Sequence, residues 1–447
     1  MSTSAPERAP ALLTGWGRTA PTRATLLRAR DPDDVERALA ASGERGLIAR
    51  GLGRAYGDAA QNAGGAVLDM TGLDAVRAFD PEGGAIAAGA GLSLGALARL
   101  ALPHGWFPPV VPGTSHVSLG GALAADVHGK NHHADGAFSA HVETFELAVP
   151  DGTRRAVTRE DELFAATAGG MGLTGVVTEL TLRLARVESD CMLVDTERAR
   201  DLDDVMDRME REDARYRYSV AWIDCLERRR LGRSVLIRGN HAPAGSGGGR
   251  PAYAPARPVA VPPGVPGGLL NAASVRAFNE LYYRRAPREE RGRLEPLDGF
   301  FHPLDGVRDW NRLYGPRGLL QYQCVVPFGA EAVLRSILER LSAERRPAFL
   351  AVLKRFGPGH GMLSFPIAGW TLALDLPAGD PTLGPLLDGF DRAVAESGGR
   401  VYLAKDSRAR PETLAAMYPE LPRWRAVRDA IDPERRLRSD LARRLGL

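Results

Sequence analysis

Residues 111–133 read Val-Pro-Gly-Thr-Ser-His-Val-Ser-Leu-Gly-Gly-Ala-Leu-Ala-Ala-Asp-Val-His-Gly-Lys-Asn-His-His. Gly113, Thr114, Ser115, Gly120 and Gly121 are small turn-formers, and His128, Lys130, His132 and His133 follow them. Glycine lets a backbone approach a ligand with no Cβ in the way. Exposed N–H groups in such turns form nests for anions such as phosphate. A phosphate cradle beside titratable side chains points to a nucleotide cofactor, and so to an enzyme. A lone histidine is usually a satisfied core residue. Gly129 and Lys130 beside His128 favour an acid–base role for it instead. His132 and His133 read as supporting residues.

Gly51-Leu52-Gly53-Arg54-Ala55-Tyr56-Gly57 and Gly169-Gly170-Met171-Gly172-Leu173-Thr174-Gly175 are two more glycine clusters. The first is not a dinucleotide-fold fingerprint. Its spacing is Gly-x-Gly-x-x-x-Gly, and Asp58-Ala59-Ala60-Gln61-Asn62 opens no convincing helix, which that site requires. With two other clusters nearby, it reads as a phosphate loop of another type.

Short strands and helices must position these loops. Residues 24–30, 46–49, 66–69 and 85–88 read as strands, and Asp31 with Pro32 starts a helix as N-cap and first-turn residue. Ser93 to Leu102 is a helix closed by Pro103 and Gly105. Glu143 to Val149 and Arg154 to Thr158 flank Asp151-Gly152, a hairpin signal. Residues 161–168 are helical, and 176–184 a strand. From residue 188 onward, strand-like runs (218–223, 234–238, 321–327, 370–376) alternate with longer helices (202–212, 330–345, 384–397). This predicts an α+β fold, with a sheet covered by helices on one face. Ala242 to Gly268 is dense in Pro and Gly and predicts a mobile loop, either a lid or a tolerated insertion.

The chain has 447 residues, a length that favours two domains. The 58 basic and 55 acidic residues nearly cancel, so nothing demands nucleic acid. Three widely spaced cysteines lack metal-ligand spacing, which predicts no metal and a reduced compartment. Met1 to Pro10 lacks the apolar core of a signal peptide, and no run is long enough to span a bilayer. The expectation is a cytoplasmic protein, or one whose membrane contact is peripheral.

The three glycine segments, in this order, resemble the FAD-binding fold of the vanillyl-alcohol-oxidase / p-cresol-methylhydroxylase superfamily. Six further motifs resemble decaprenylphosphoryl-β-D-ribose 2′-oxidases: Leu13 to Pro21, His128 to His133, Phe301 to Asp305, Gly318 to Gln323, Leu363 to Pro366 and Ala404 to Arg408. The resemblance runs from about Leu13 to the C-terminus. It implies an FAD-binding domain of the PCMH type at 1–187, a substrate domain with an antiparallel sheet at 188–399, and a return to the first domain at 400–447.

The implied reaction is FAD-dependent oxidation of the 2′-hydroxyl of a polyprenylphosphoryl ribose to a 2′-keto sugar. An NAD(P)H-dependent short-chain reductase would complete the epimerisation toward the arabinose donor for actinobacterial cell-wall arabinan. An alditol or sugar-lactone oxidase of the same superfamily, or a flavin-binding protein without turnover, are the alternatives.

By the same resemblance, FAD contacts fall to Gly51, Gly53, Arg54, Ala55, Tyr56, Gly57, Asn62, Gly113, Thr114, Ser118, Gly120, Gly121, His128, Gly129, Gly175 and Tyr402. Arg54 stands where covalent members carry the flavin-linked histidine, so non-covalent FAD is expected. Substrate contacts fall to Lys130, Gln321, Gln323, Lys354 and Tyr56, and catalysis to Lys405 and His128. A fixed ammonium at Lys405 would stabilise negative charge as it forms on the reduced flavin. Well-known members have Asn and Cys where Thr371 and Ala373 stand, which bears on the substrate more than on the reaction type.

Overall fold

The computed structural model describes residues 8–246, 251–255 and 257–447. Part of the N-terminal segment expected to lack a signal, and residues 247–250 and 256 of the Pro/Gly loop, lie outside the described residues.

Three sheets carry the architecture. The first is four-stranded, in the order Arg8–Leu13, Thr22–Arg28, Ala66–Asp69 and Leu47–Arg50, with its last three strands parallel. Asp31 caps the helix Pro32–Ala40 that follows, accepting from the Asp34 N–H at 2.8 Å. The second is five-stranded and antiparallel: Val76–Phe79, Ala85–Gly89, Val176–Arg183, Val142–Ala148 and Arg154–Thr158. The expected hairpin across Asp151-Gly152 forms its edge.

The third sheet has eight antiparallel strands. Their order is Glu289–Pro296, Cys191–Ala199, Ser234–His241, Tyr218–Ile223, Ala351–Phe356, Gly369–Pro377, Leu319–Pro327 and Arg400–Val401. Successive side chains on a strand point to opposite faces. Tyr322, Cys324, Val326, Leu353, Leu372, Leu374 and Leu376 therefore turn one way, into a core shared with the helices Leu202–Glu212, Glu331–Ala343 and Leu383–Glu396. Gln321, Gln323, Lys354, Thr371, Ala373 and Asp375 turn the other way, as do Trp222 and Ile237.

The strands 191–199, 289–296 and 351–356 and the helix Ala272–Arg285 are additions to the sequence expectation. Glu289–Pro296 carries five charged residues in eight, which hides its β character; such charge suits the sheet edge that it occupies. Within the Pro/Gly loop, Tyr253 is buried with its hydroxyl 2.8 Å from His302 Nδ1, and Val259–Ala260 pairs in parallel with Val307–Arg308.

The C-terminal segment packs back on the first sheet and its loop. Leu47 N–H donates to the Arg436 carbonyl at 2.8 Å, and Arg444 bridges Asp58 at 2.8 Å and Asp406 at 2.9 Å. Gly57 sits where these segments meet; a Cβ there would lie 1.9 Å from the Asp406 carbonyl oxygen. Gly57→Ala is therefore expected to cost about 1–3 kcal/mol by overpacking against backbone. Thermal unfolding of the variant and its parent tests this, and an unchanged midpoint would show that the loop yields freely.

Candidate active site

The glycine segments and the free face of the large sheet enclose a cavity of about 570 Å³. The first loop contributes Gly51, Gly53, Arg54, Ala55 and Tyr56. The second contributes Gly113, Thr114, Ser118, Gly120, Gly121, His128, Gly129 and Lys130, and the third Gly175. The sheet adds Gln321, Gln323, Lys354 and Ala373, and the segment after the last strand adds Tyr402 and Lys405.

Gly57 and Asn62 do not join them. Gly57 is a packing position, as above. The fully buried Asn62 spends its amide on the Arg45, Gly46 and Ala66 carbonyls and accepts from Arg443 at 2.8 Å. It ties the C-terminal helix to the first loop.

The second loop differs from the expected anion nest in one respect. Asp305 already occupies part of it: its carboxylate accepts from Thr114 Oγ1 at 2.6 Å, Ser115 N at 2.7 Å and Ser115 Oγ at 2.8 Å. What remains for a cofactor is close backbone approach. A Cβ on Gly113 would meet nothing within 4 Å, so it would project into open space. Arg54 lies over the Trp16 ring at 4.0 Å and feels Asp305 and Asp309; its buried Nε has no partner. His128 Nδ1 is likewise buried without a partner. Backbone cradles and unspent donors of this kind fit a large polyanionic cofactor with a flat aromatic ring.

Three lysines share the cavity wall. Burial pushes Lys354 down to about 7, with Lys405 and Lys130 adding repulsion. Burial pushes Lys405 down to about 8, opposed by Asp375, and its ammonium lies 3.9 Å from the Tyr56 ring centroid. Lys130 is also lowered by burial to about 8, opposed by Glu295, and donates to the Phe300 carbonyl.

His128 is held well below the usual imidazole range, first by burial and then by Lys354, His132 and Lys405. Gln323 Nε2 lies 2.9 Å from His128 Nε2 and 3.2 Å from Thr371 Oγ1, while Thr371 donates to the Cys324 carbonyl at 2.9 Å. With the Gln323 amide donating both ways, the neutral imidazole carries its proton on Nδ1. In the other tautomer, with the proton on Nε2 and the amide turned so that Gln323 Oε1 accepts it, Nδ1 is free as a proton acceptor, at the cost of the Thr371 bond, about 0.5–1.5 kcal/mol. Thr371 therefore acts beneath the wall, through Gln323, while Ala373 faces the cavity itself.

His132 and His133 lie outside the lining. His132 Nδ1 accepts from Gly357 N at 3.2 Å, and His133 Nε2 lies 2.9 Å from the Tyr216 carbonyl oxygen.

The other end of the cavity is apolar, and the sequence reading missed it. Val220, Trp222, Ile237 and Val352 line it from the sheet; Phe278 and Tyr282 line it from the helix Ala272–Arg285, and Phe349 completes it. Tyr282 packs against Trp222 in a tilted arrangement with centroids 4.8 Å apart, and Phe278 against Phe349 likewise at 4.8 Å. Alternation in residues 218–223 marks one face of a strand, but only the sheet order shows what that face meets.

Comparison with known proteins gives the site a context. The model of a family described as FAD binding domain matches residues 24–158, and one described as D-arabinono-1,4-lactone oxidase matches residues 377–445. A decaprenylphosphoryl-beta-D-ribose oxidase from Mycolicibacterium smegmatis is 41% identical over 449 residues, covering 97% of each chain. An uncharacterized protein in the mprA 5′ region of Streptomyces coelicolor is 44% identical over 80% of this chain and 100% of its own. An alditol oxidase from a Streptomyces species is 30% identical over 27% of this chain and 29% of its own.

Arg54 at the cavity offers no nucleophile for a flavin linkage, because a guanidinium stays protonated. Acid or heat is expected to release FAD into the supernatant. Flavin retained on the denatured, washed polypeptide would refute this.

Proposed function

Because the chain belongs to the decaprenylphosphoryl-beta-D-ribose oxidase family of FAD-dependent oxidoreductases, we propose that it oxidises the 2′-hydroxyl of a polyprenylphosphoryl-β-D-ribose to the 2′-keto sugar. The observation that carries this reading is the cavity's two-part character. Gln321, Gln323 and Lys354 on the sheet face, with Lys405 from the segment after the last strand, make one part of the lining polar; Trp222 and Ile237 on the same face, with Phe278 from the helix Ala272–Arg285, make another part apolar. An amphiphile with an anionic sugar head and a long apolar tail suits such a wall.

In this reading residues 1–187 and 400–447 hold FAD, and residues 188–399 hold the substrate. FAD held by the glycine loops would supply the acceptor for the hydride of the sugar carbon, and negative charge would develop on it as it is reduced. Lys405 supplies a fixed positive charge for that developing charge, which favours the transition state over the ground state. His128, neutral through burial, takes the hydroxyl proton on Nδ1 once Gln323 turns its amide. Lys130 and Lys354 meet the substrate phosphate as point charges, and its approach restores the charge that burial takes from them. Gln321 orients the sugar hydroxyls. The apolar end excludes water from the tail.

The keto product is consumed by an NAD(P)H-dependent reductase, which completes epimerisation to the arabinose donor for cell-wall arabinan. Among the described residues no helix is long and apolar enough to cross a membrane. Lipid contact in this reading is peripheral, where Phe278 and Leu281 of the helix Ala272–Arg285 are exposed beside Arg276, Arg284 and Arg285. An alditol or sugar-lactone oxidase is the second reading, favoured by the family match over residues 377–445. It leaves the apolar end without a use.

Anaerobic mixing of the holoenzyme with polyprenylphosphoryl ribose is expected to bleach the flavin absorbance, and free alditols to leave it unchanged. Bleaching by alditols alone would favour the second reading. Lys405→Ala is expected to keep FAD, which many backbone contacts hold, and to slow bleaching roughly 10²–10³-fold. Lys405→Arg should rescue poorly, because a planar guanidinium does not replace a compact charge. Bleaching at the parent rate in Lys405→Ala would move the chemistry to another residue.

A further inference from the structure

We propose that Asn279 is a positioning residue that sets the specificity of this site: through its bond to Asp224 it fixes the rotation of the helix Ala272–Arg285, and with it the apolar part of the cavity lining. The inference rests on the reading, given above, that this part takes the apolar tail of the substrate.

The helix divides its residues by face. Val275, Asn279 and Tyr283, spaced by four, are its buried residues. Phe278 and Tyr282, each one position earlier, line the cavity. Ala277, Leu281 and Arg285 are exposed. Asparagine is a poor helix former, and burying its amide costs free energy unless the amide is bonded. An apolar residue would be the ordinary choice between Val275 and Tyr283. The amide has one target: Nδ2 donates to Asp224 Oδ1 at 2.7 Å, and Oδ1 of Asn279 is buried without a partner. A carboxylate accepts only, so it dictates which way the amide faces.

Asp224 is held in place from the sheet. It follows the strand Tyr218–Ile223, two residues after Trp222, and its N–H donates at 3.0 Å to the carbonyl of Arg233, which precedes the strand Ser234–His241. Both side chains are buried. Asp224 Oδ2 accepts from Arg233 Nε at 3.0 Å and Nη2 at 2.8 Å, and Oδ1 accepts from the Leu226 N–H at 2.9 Å. Of the roughly four acceptor sites of a carboxylate, Asn279 fills the one left for the helix. Two neighbours on the helix reinforce it. Glu280 meets Arg233 Nη2 at 2.7 Å, and the Tyr283 hydroxyl donates to the Ala199 carbonyl at 3.2 Å.

Apolar packing alone does not fix the rotation. The buried apolar cluster beneath the helix is small, Trp222, Val235 and Tyr283, and apolar contact is non-directional. A slip of one residue would turn the helix by about 100°. It would bury an unbonded amide and leave an acceptor site of Asp224 empty. Phe278 would leave Phe349, and Tyr282 would leave Trp222. A buried asparagine that specifies register is the best-attested use of a polar group on a packed helix face.

The test compares two substrates with the same charged head in anaerobic single turnover of the holoenzyme: farnesylphosphoryl-β-D-ribose and its methylphosphoryl counterpart, which lacks the tail. Asn279→Ala and Asn279→Leu are made, with FAD content and hydrogen exchange of residues 272–285 measured in parallel. Leucine is close to asparagine in length and favours a helix more, so it restores packing without the bond to Asp224. Both variants are expected to raise the half-saturating concentration of the farnesyl substrate about tenfold, the equivalent of roughly two buried methylenes. The limiting rate, the half-saturation of the methyl substrate and the FAD content should stay at parent values, while exchange in 272–285 quickens.

Parent-like half-saturation by the farnesyl substrate in both variants overturns the inference. So does recovery in Asn279→Leu alone, which would mark a space-filling role. Loss of FAD, or an equal loss with both substrates, overturns it as well, because either marks general damage. Equal half-saturation of the two substrates in the parent would instead refute the reading of the apolar part as the site of the tail. Exchange in 272–285 that fails to quicken would refute the pinning of the helix by itself.

Discussion

Burying an ammonium group in a protein wall disfavours its charged form, and three of them along one wall disfavour each other further. Lys354 shows the size of the effect: a fall from 10.5 to about 7 is on the order of 5 kcal/mol against the cation. A fold that maintains this arrangement must hold it rigidly, or the side chains would swing out to water. The eight-stranded sheet does so with packing. Leu353 lies next to Lys354 on its strand and turns into the helix-covered core; Leu372 and Leu374 flank Ala373 and do the same. The polar face is held in register by an apolar one of period two.

The same alternation explains why substitutions at neighbouring positions on the strand Gly369–Pro377 have different reach. Ala373 meets the cavity directly, so a smaller or larger side chain there changes the space open to a substrate. Thr371 is fully buried and acts through the amide of Gln323, and so through the proton of His128. An amide at that position would present both a donor and an acceptor to Gln323, where the threonine hydroxyl, already donating to the Cys324 carbonyl, offers an acceptor only. The two departures from the family pattern therefore bear on different things: Ala373 on shape, Thr371 on which way an amide faces.

Much of the cavity lining was legible: glycine spacing marked the loops, titratable residues marked the segment around His128, and the family resemblance supplied Lys405, Lys354, Gln321 and Gln323. The strands at 66–69 and 218–223 and the helix at 202–212 follow from periodicity alone and appear with those bounds. The apolar end was not legible. Trp222, Phe278 and Phe349 belong to a strand, a helix and a loop that meet only through sheet order, and each reads in sequence as ordinary core. Asn62 misled for the opposite reason: it sits beside a glycine loop in sequence, yet its amide is consumed by three backbone carbonyls. Proximity along the chain does not say which way a side chain turns.

Asp305 shows how the two halves of the wall are coupled. It belongs to the segment after residue 300, yet its carboxylate is held by the hydroxyls of Thr114 and Ser115 and by the Ser115 N–H in the second glycine loop. Charge-assisted bonds of this type are among the stronger ones available to a neutral donor set. They bring the Phe301–Asp305 stretch against the cradle, where Phe301, Pro303 and Leu304 line the cavity. The same carboxylate acts on Arg54 across the first loop. One acid thus fastens a loop of the sheet-bearing half to the glycine loops and leaves its residual charge facing the guanidinium. The anion-binding tendency of the second loop is spent on joining the halves, and the cofactor is left to the backbone surfaces that the glycines keep clear.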